Sequence, residues 1–134
     1  GLVLALDRLV PFAHWITPKG MPKRFDTHFY LMQAPEGQVE SHDGREAISA
    51  NWPDPAEALE SETAGKTKII FPTRLNLVLL SKAKSAAEAL ELARSRQLVT
   101  VEPEVRQGAS GLELVIPEAA GYGITTEPLT ARNT

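Results

Sequence analysis

Cysteine is missing from all 134 residues of the sequence. Its absence excludes disulfide bridges, zinc sites built from thiolates and any mechanism that uses a cysteine nucleophile. It also fits a protein that folds in a reducing compartment, so we expect a cytoplasmic location. No apolar run approaches the roughly 20 residues that a membrane-spanning helix needs. We therefore expect no membrane partner.

A strong excess of charge of either sign is also missing, since the formal net charge is −3. Proteins that coat nucleic acid usually carry a basic patch or stripe, so we expect no nucleic-acid partner. A hydrophobic content of 43% with 23% charged residues is typical of a globular protein. This length suffices for one domain that buries about two thirds of its unfolded surface.

Several catalytic motifs are missing as well. No glycine-rich loop matches a phosphate-binding P-loop or a dinucleotide fingerprint. No serine lies in a G-x-S-x-G nucleophile elbow. The sequence therefore gives no direct sign of nucleotide-cofactor chemistry or of serine-based acyl transfer.

The most regular segment runs from Trp15 to Met32, W-I-T-P-K-G-M-P-K-R-F-D-T-H-F-Y-L-M. The piece Pro18–Pro22 indicates a turn, and strict alternation after Arg24 predicts a strand. One face should pack on a core and the other should face solvent or a polar cavity. The first face would carry Phe25, Thr27, Phe29 and Leu31, and the second Asp26, His28, Tyr30 and Met32.

Positive charge gathers at the start of this strand, from Lys19, Lys23 and Arg24. Such a cluster attracts anionic ligands. The alternative is an ordinary sheet edge that carries a basic turn without a ligand.

Other strands flank this one along the chain. Leu2 to Trp15 predicts a strand, broken near Pro11, that pairs with the Arg24 strand as an antiparallel hairpin. Glu46 to Trp52 predicts a short third strand. Near the C-terminus, Leu98–Val101 and Leu112–Ile116 should be strands on either side of a hairpin-like connection over residues 106–111.

Three helices are predicted between these strands. Asp54 is a candidate N-cap with proline next to it, for a helix over Ala56–Glu62. A second helix should start at Phe71, and Ser85 with Glu88 forms a capping box for the third. The whole pattern predicts an α+β domain. The segment 121–134 should be an extended or frayed tail.

Histidines and acids offer a weak metal-site signal. Two histidines and one carboxylate can hold a transition-metal ion, but no two histidines here have helix or strand spacing. Asp26 and His28 could instead orient each other on one strand face, or they could be exposed surface residues without a specific role. Glu46 is either a solvated loop carboxylate or a catalytic one. The residues weighed for such a site are His14, His28, His42, Asp26, Asp43 and Glu46.

The segment W-I-T-P-K-G-M-P-K-R-F-D-T-H-F-Y-L resembles Nudix hydrolases of the coenzyme A diphosphatase-like branch. The similarity continues through D-G-R-E-A-I-S-A-N-W-P-D-P-A-E-A-L, the helix start F-P-T and the region L-x-x-A-R-S-R. It covers most of the chain from Gly1 to about Ile116. The resemblance implies a Nudix-like mixed β-sheet packed with helices, an α/β/α sandwich, over residues 1–120.

One part of the family pattern is not in these 134 residues. The Nudix box is G-x5-E-x7-R-E-U-x-E-E-x-G-U, where U is a bulky aliphatic residue. Arg45-Glu46 is the single R-E pair of the sequence, and no E-E follows it. In the family the box precedes the segment that matches Trp15. We therefore expect the C-terminal portion of a longer Nudix protein, incomplete at its N-terminus. The alternative is a Nudix-derived domain that has lost the box.

The resemblance also implies chemistry. Nudix hydrolases use Mg²⁺ or Mn²⁺ to cleave a diphosphate linkage in nucleoside-diphosphate derivatives, with a coenzyme A-like compound among the candidates here. Glu46 would be the general base or an auxiliary metal ligand, while the main ligands would lie in the box. Lys23, Arg24 and Asp26 would bind substrate, unless Arg24 pairs with Asp26 or another acid to fix the turn.

Two further expectations concern the function as a whole. The alternative to a hydrolase is a catalytically silent Nudix-like binding or scaffolding domain. Either way, a sheet without its box helix exposes apolar surface, and the missing N-terminal half or self-association should cover it.

Overall fold

A computed structural model describes residues 5–37, 44–45 and 52–129. This part of the chain is mixed α+β, as predicted, with three α-helices and six strands. The helices are α1 (Pro55–Thr63), α2 (Phe71–Leu80) and α3 (Ala86–Ser95). The strands are β1 (Val10–Ile16), β2 (Asp26–Leu31), β3 (Thr100–Val101), β4 (Glu104–Gly108), β5 (Gly111–Val115) and β6 (Thr126–Pro128). None of the three helices has the length and apolar character needed to cross a bilayer.

The described strands form two small sheets, ordered β2-β1-β3 and β4-β5-β6. The second is antiparallel throughout, whereas the first is mixed because β3 runs parallel to β1. The resemblance implied one mixed sheet packed with helices. The α/β/α sandwich stays a prediction, because the described residues divide their strands between two sheets.

The predicted hairpin between the first two strands is confirmed. β1 and β2 pair antiparallel, and their register shifts between Pro11 and Ala13, where the sequence predicted a break. At the closed end, Thr17 N–H donates to the Phe25 carbonyl at 2.9 Å and Phe25 N–H donates to Thr17 Oγ1 at 3.0 Å. Gly20 takes a φ of +86° in the loop, a conformation that favours glycine.

The alternation along β2 is confirmed, with one correction. Asp26, His28 and Tyr30 are exposed, whereas the side chains between them are half-buried. Phe25 was expected on the buried face, but it is 56% exposed. It lies one residue before the strand begins, so the pleat does not direct its ring inward. The ring lies beneath the Lys23 ammonium, which is 4.9 Å from its centroid.

Both predicted helix caps are present. The Asp54 carboxylate accepts from Ala56 N–H at 2.8 Å at the start of α1. The Ser85 hydroxyl accepts from Glu88 N–H at 3.1 Å at the start of α3. The Glu88 carboxylate accepts from Lys84 N–H at 2.7 Å, one residue before the usual position in a capping box.

The pairing predicted for the C-terminal strands is wrong. Leu98–Val101 was expected to flank a hairpin with the strand at 112–116. Instead, its last two residues form β3, beside β1. Within the described residues β5 pairs with β4, which takes in residues 106–108 of the predicted connection and leaves a turn at Ala109 and Ser110. The sequence pattern did not predict β4, because nearly all its side chains are exposed and apolar residues do not alternate with polar ones along it.

Residues 121–129, the described part of the predicted tail, pack against the rest of the molecule. β6 is extended, as expected, but it pairs with β5 rather than fraying. Tyr122 is buried in the core beside Trp15, Phe71 and Leu75. Its hydroxyl accepts from Trp15 Nε1–H at 2.9 Å and donates to Asn76 Oδ1 at 2.9 Å. This hydrogen-bonded aromatic residue ties the segment to the rest of the molecule.

Two predicted strands lie partly on residues that the structure does not describe. The N-terminal strand was expected from Leu2, but residues 1–4 are not described and Leu6–Arg8 form a short 3₁₀ turn. Of the predicted strand Glu46–Trp52, only Trp52 is described, and it is exposed.

Candidate functional site

Three side chains that could hold a metal ion meet on the polar face of the β1–β2 hairpin: His14, Asp26 and His28. The register places His14 directly opposite His28, and Asp26 one pleat away on the same face. Asp26 Oδ1 lies 2.6 Å from His14 Nε2 and 3.6 Å from His28 Nε2. The two imidazole rings stack with centroids 3.9 Å apart. We call these residues the histidine–aspartate cluster.

The neighbouring strand holds His14 in place. Its Nδ1 lies 2.7 Å from Thr100 Oγ1, because the parallel register puts Thr100 of β3 beside His14. The His14 side chain is 15% exposed, against 52% for His28 and 64% for Asp26. The cluster therefore combines one fixed imidazole with two side chains that are open to solvent.

The donors of this cluster do not suit the magnesium ion that the resemblance implies. Mg²⁺ prefers near-octahedral oxygen ligation, whereas this cluster offers two nitrogen atoms and one carboxylate. Within the described ranges, no second group of three potential ligands converges. The described residues therefore provide no magnesium site of the kind that Nudix hydrolases use.

An apolar groove of about 630 Å³ lies beside the hairpin, on the opposite face of β2 from the cluster. Its volume falls in the range of small-molecule pockets. The Lys23 side chain adds positive charge at its border. The walls come from the hairpin and its loop, from the start of α2, and from Pro103 and Leu114. Besides Lys23, the lining residues are Trp15, Ile16, Thr17, Pro18, Met21, Pro22, Phe25, Thr27, Phe29, Ile70, Phe71, Pro72, Thr73, Pro103 and Leu114.

Arg24 makes two contacts within the chain. Its Nε donates to the Thr17 carbonyl at 3.0 Å, and its guanidinium pairs with the Glu102 carboxylate. This geometry agrees with the alternative in which Arg24 pairs with an acid and fixes the turn. The acid is Glu102 rather than Asp26. The role of Arg24 in binding substrate stays a prediction.

The remaining predicted site residues lie apart or outside the described part of the chain. Lys23 is exposed above the Phe25 ring. Asp26 belongs to the histidine–aspartate cluster and not to the groove. His42, Asp43 and Glu46 lie outside the described residues, so the catalytic and metal-binding roles predicted for Glu46 stay predictions.

Sequence reasoning missed several residues that the structure brings to these sites. Thr100 and Glu102 come from a part of the chain about 80 residues away. The pairing of His14 with His28 could have been predicted from the sequence, because the two residues are equally distant from the middle of the Thr17–Phe25 loop. A symmetric hairpin across that loop places them opposite each other.

Part of the chain is similar to a known protein. No protein-family profile matches the chain, and no solved structure matches it significantly. Over 81 residues the chain is 32% identical to the Caenorhabditis elegans protein named "Putative nudix hydrolase 7". The match covers 60% of this chain and 28% of that relative, so it spans little more than a quarter of the relative's length. The similarity is distant and partial.

Proposed function

We propose that this chain is part of a divalent-metal-dependent Nudix-type hydrolase of the cytoplasm. It would cleave a diphosphate linkage in a nucleoside-diphosphate derivative, with coenzyme A-like compounds as the first class to test. The observation that carries the proposal is the 81-residue similarity to a protein named as a nudix hydrolase. The Nudix-like fold and the coenzyme A diphosphatase-like branch are part of the same proposal.

The groove beside the hairpin supports a role in substrate binding. Its walls are mainly apolar and aromatic, which suits the part of a substrate that carries no charge. Lys23 stands at its border, where an ammonium group attracts a phosphate. Arg24 acts on the loop itself, since it joins the Thr17 carbonyl to Glu102 and so helps to fix the wall of the groove.

The metal-binding part of such an enzyme would lie elsewhere. The described residues do not converge as a magnesium site, and the Nudix box is not in the 134 residues. We therefore propose that box glutamates encoded upstream hold the ions and that this portion supplies the binding groove. The upstream half, or a second copy of the chain, would cover the apolar sheet surface that is exposed without the box helix.

The test compares the 134-residue chain with a longer chain that adds the upstream-encoded sequence. Both are assayed with Mg²⁺ or Mn²⁺ against a panel that includes coenzyme A and ADP-ribose. We expect no hydrolysis by the 134-residue chain, because Mg²⁺ binds poorly to an isolated acid, and hydrolysis by the longer one. Robust cleavage by the short chain would contradict this division of roles.

A catalytically silent binding domain is the second candidate. Two observations favour it: the box is not in this sequence, and no carboxylate cluster forms among the described residues. If the longer chain contains a box and still cleaves nothing in the panel, while calorimetry detects binding of the same compounds, the silent domain is the correct interpretation.

Glu46 is the residue that this proposal assigns to catalysis. In the longer, active chain, Glu46→Gln should lower turnover ten-fold or more, because general acid–base catalysis typically contributes about 10²–10⁴-fold. The matched control is Glu36→Gln, an exposed glutamate in the turn that follows β2. Equal turnover in both variants, with unchanged thermal stability, would leave Glu46 as a solvated loop residue.

A further inference from the structure

The ligand atoms of the histidine–aspartate cluster lie close together. His14 Nε2 and His28 Nε2 both approach the same oxygen, Asp26 Oδ1, at 2.6 and 3.6 Å. Each of the three side chains offers a ligand atom, and these atoms all lie within 4.8 Å of one another. The hydrogen bond between His14 and Asp26 does not by itself require His28 Nε2 to lie within 3.6 Å of the same oxygen. We propose that His14, Asp26 and His28 bind a first-row transition-metal ion.

The distances in the cluster are close to those that such an ion requires. Zinc binds nitrogen and carboxylate oxygen at about 2.0–2.2 Å, so ligand atoms around a tetrahedral ion lie about 3.3 Å apart. The two contacts of Asp26 Oδ1 lie on either side of that value. A zinc ion therefore fits between these atoms once Asp26 Oδ1 moves away from His14 Nε2 by less than about 1 Å.

One ring must also move. The imidazoles stack nearly parallel, with 10° between their planes, so their lone pairs do not yet meet at one position. His28 is the more exposed of the two and lies on β2, the outer strand of this sheet among the described residues, so its ring tilts more easily than that of His14. Side-chain rotation on β2 completes the site, and the backbone register stays as it is.

Thr100 positions the fixed ligand. Its hydroxyl oxygen lies 2.7 Å from His14 Nδ1 and can accept a hydrogen bond from that ring N–H. A ligating histidine commonly donates its other ring N–H to such a partner, which leaves Nε2 available to the metal. Thr100 is thus a positioning residue that acts through His14.

The donor set decides which cation is preferred. Imidazole suits zinc, copper, nickel and iron, whereas magnesium and calcium prefer oxygen atoms. Three protein ligands leave at least one position open on the ion, as in zinc sites that hold a water molecule or a ligand. This inference goes beyond the hydrolase proposal, since it uses no residue outside the 134 and predicts zinc rather than magnesium as the preferred ion.

Zinc binding to the 134-residue chain, measured by isothermal titration calorimetry and by thermal unfolding at pH 7.5, tests the proposal. We expect one Zn²⁺ per chain and a melting temperature that rises with Zn²⁺ but not with equal Mg²⁺. Asp26→Asn and His28→Gln change exposed side chains and should each weaken Zn²⁺ binding at least ten-fold. Thr100→Val should weaken it by about ten-fold, as expected when the partner of a ligating histidine is removed.

His42→Gln is the matched control, because His42 is the remaining histidine of the chain. It should bind Zn²⁺ as tightly as the unsubstituted chain, and far-UV circular dichroism checks that every variant is folded. A second measurement needs no variant: in the NMR spectrum, Zn²⁺ should shift the ring signals of His14 and His28 and leave those of His42 in place. The absence of saturable zinc binding, or binding that depends on His42 instead of Asp26 and His28, would overturn the proposal.

Discussion

Replacing Phe71 by alanine should lower the free energy of unfolding by about 3–5 kcal/mol. Phe71 is 1% exposed at the start of α2 and belongs to the buried core. Its ring meets the Trp15 ring edge-on, with centroids 5.8 Å apart, and so joins the helix to the hairpin. Alanine would remove this aromatic contact and leave a cavity that neighbouring side chains fill only in part.

Chemical denaturation with urea measures this change, and Phe25→Ala is the matched control. Phe25 is the same residue type but is 56% exposed, so its truncation should change the free energy of unfolding by less than about 1 kcal/mol. A loss at Phe25 equal to that at Phe71 would show that Phe25 packs inward, as the alternation had predicted. Domains of this size have a total stability of about 5–15 kcal/mol, so the Phe71 variant should unfold well before the unsubstituted chain.

Tyr122→Phe should also destabilise the protein, although it removes a single oxygen atom. The hydroxyl of Tyr122 joins Trp15 Nε1–H to Asn76 Oδ1, and all three residues are buried. Without it, both groups lose a hydrogen-bond partner, at about 1–3 kcal/mol for each buried group left unpaired. The ring remains beneath the Arg96 guanidinium, 4.9 Å from its centroid, so the substitution isolates the hydroxyl.

Tyr30→Phe is the control for this prediction. Tyr30 is half exposed on β2, and solvent can hydrate its hydroxyl, so its removal should have little effect on the midpoint of unfolding. If the two variants unfold at the same urea concentration, the hydrogen bonds of the Tyr122 hydroxyl add nothing to stability.

Both predictions depend on contacts that the sequence could not show. Trp15 and Tyr122 are 107 residues apart, yet the indole donates directly to the phenol. Nothing in the composition from Gly121 onward, which includes two glycines and four threonines, distinguishes a buried residue from one in a loose tail. A single buried aromatic residue carries no periodicity, so pattern reasoning found no element there.

Short-range sequence signals were sufficient to predict the local features of this protein. The caps at Asp54 and Ser85 are present because a side-chain oxygen satisfies a backbone N–H within a few residues. The β1–β2 hairpin forms where alternation and a proline–glycine turn adjoin. The predicted α+β class follows from the same local signals.

Which segments meet depends on long-range packing. It paired β3 with β1 and β4 with β5, and it brought Thr100 to His14 and Glu102 to Arg24. These choices depend on burial and hydrogen bonding between segments that are distant in the chain, and many partners satisfy the same local pattern. The candidate metal site depends on both short-range and long-range contacts. The hairpin register places His14, Asp26 and His28 on one face of the sheet. The packing of β3 beside β1 brings Thr100 to His14 and fixes the position of its imidazole ring.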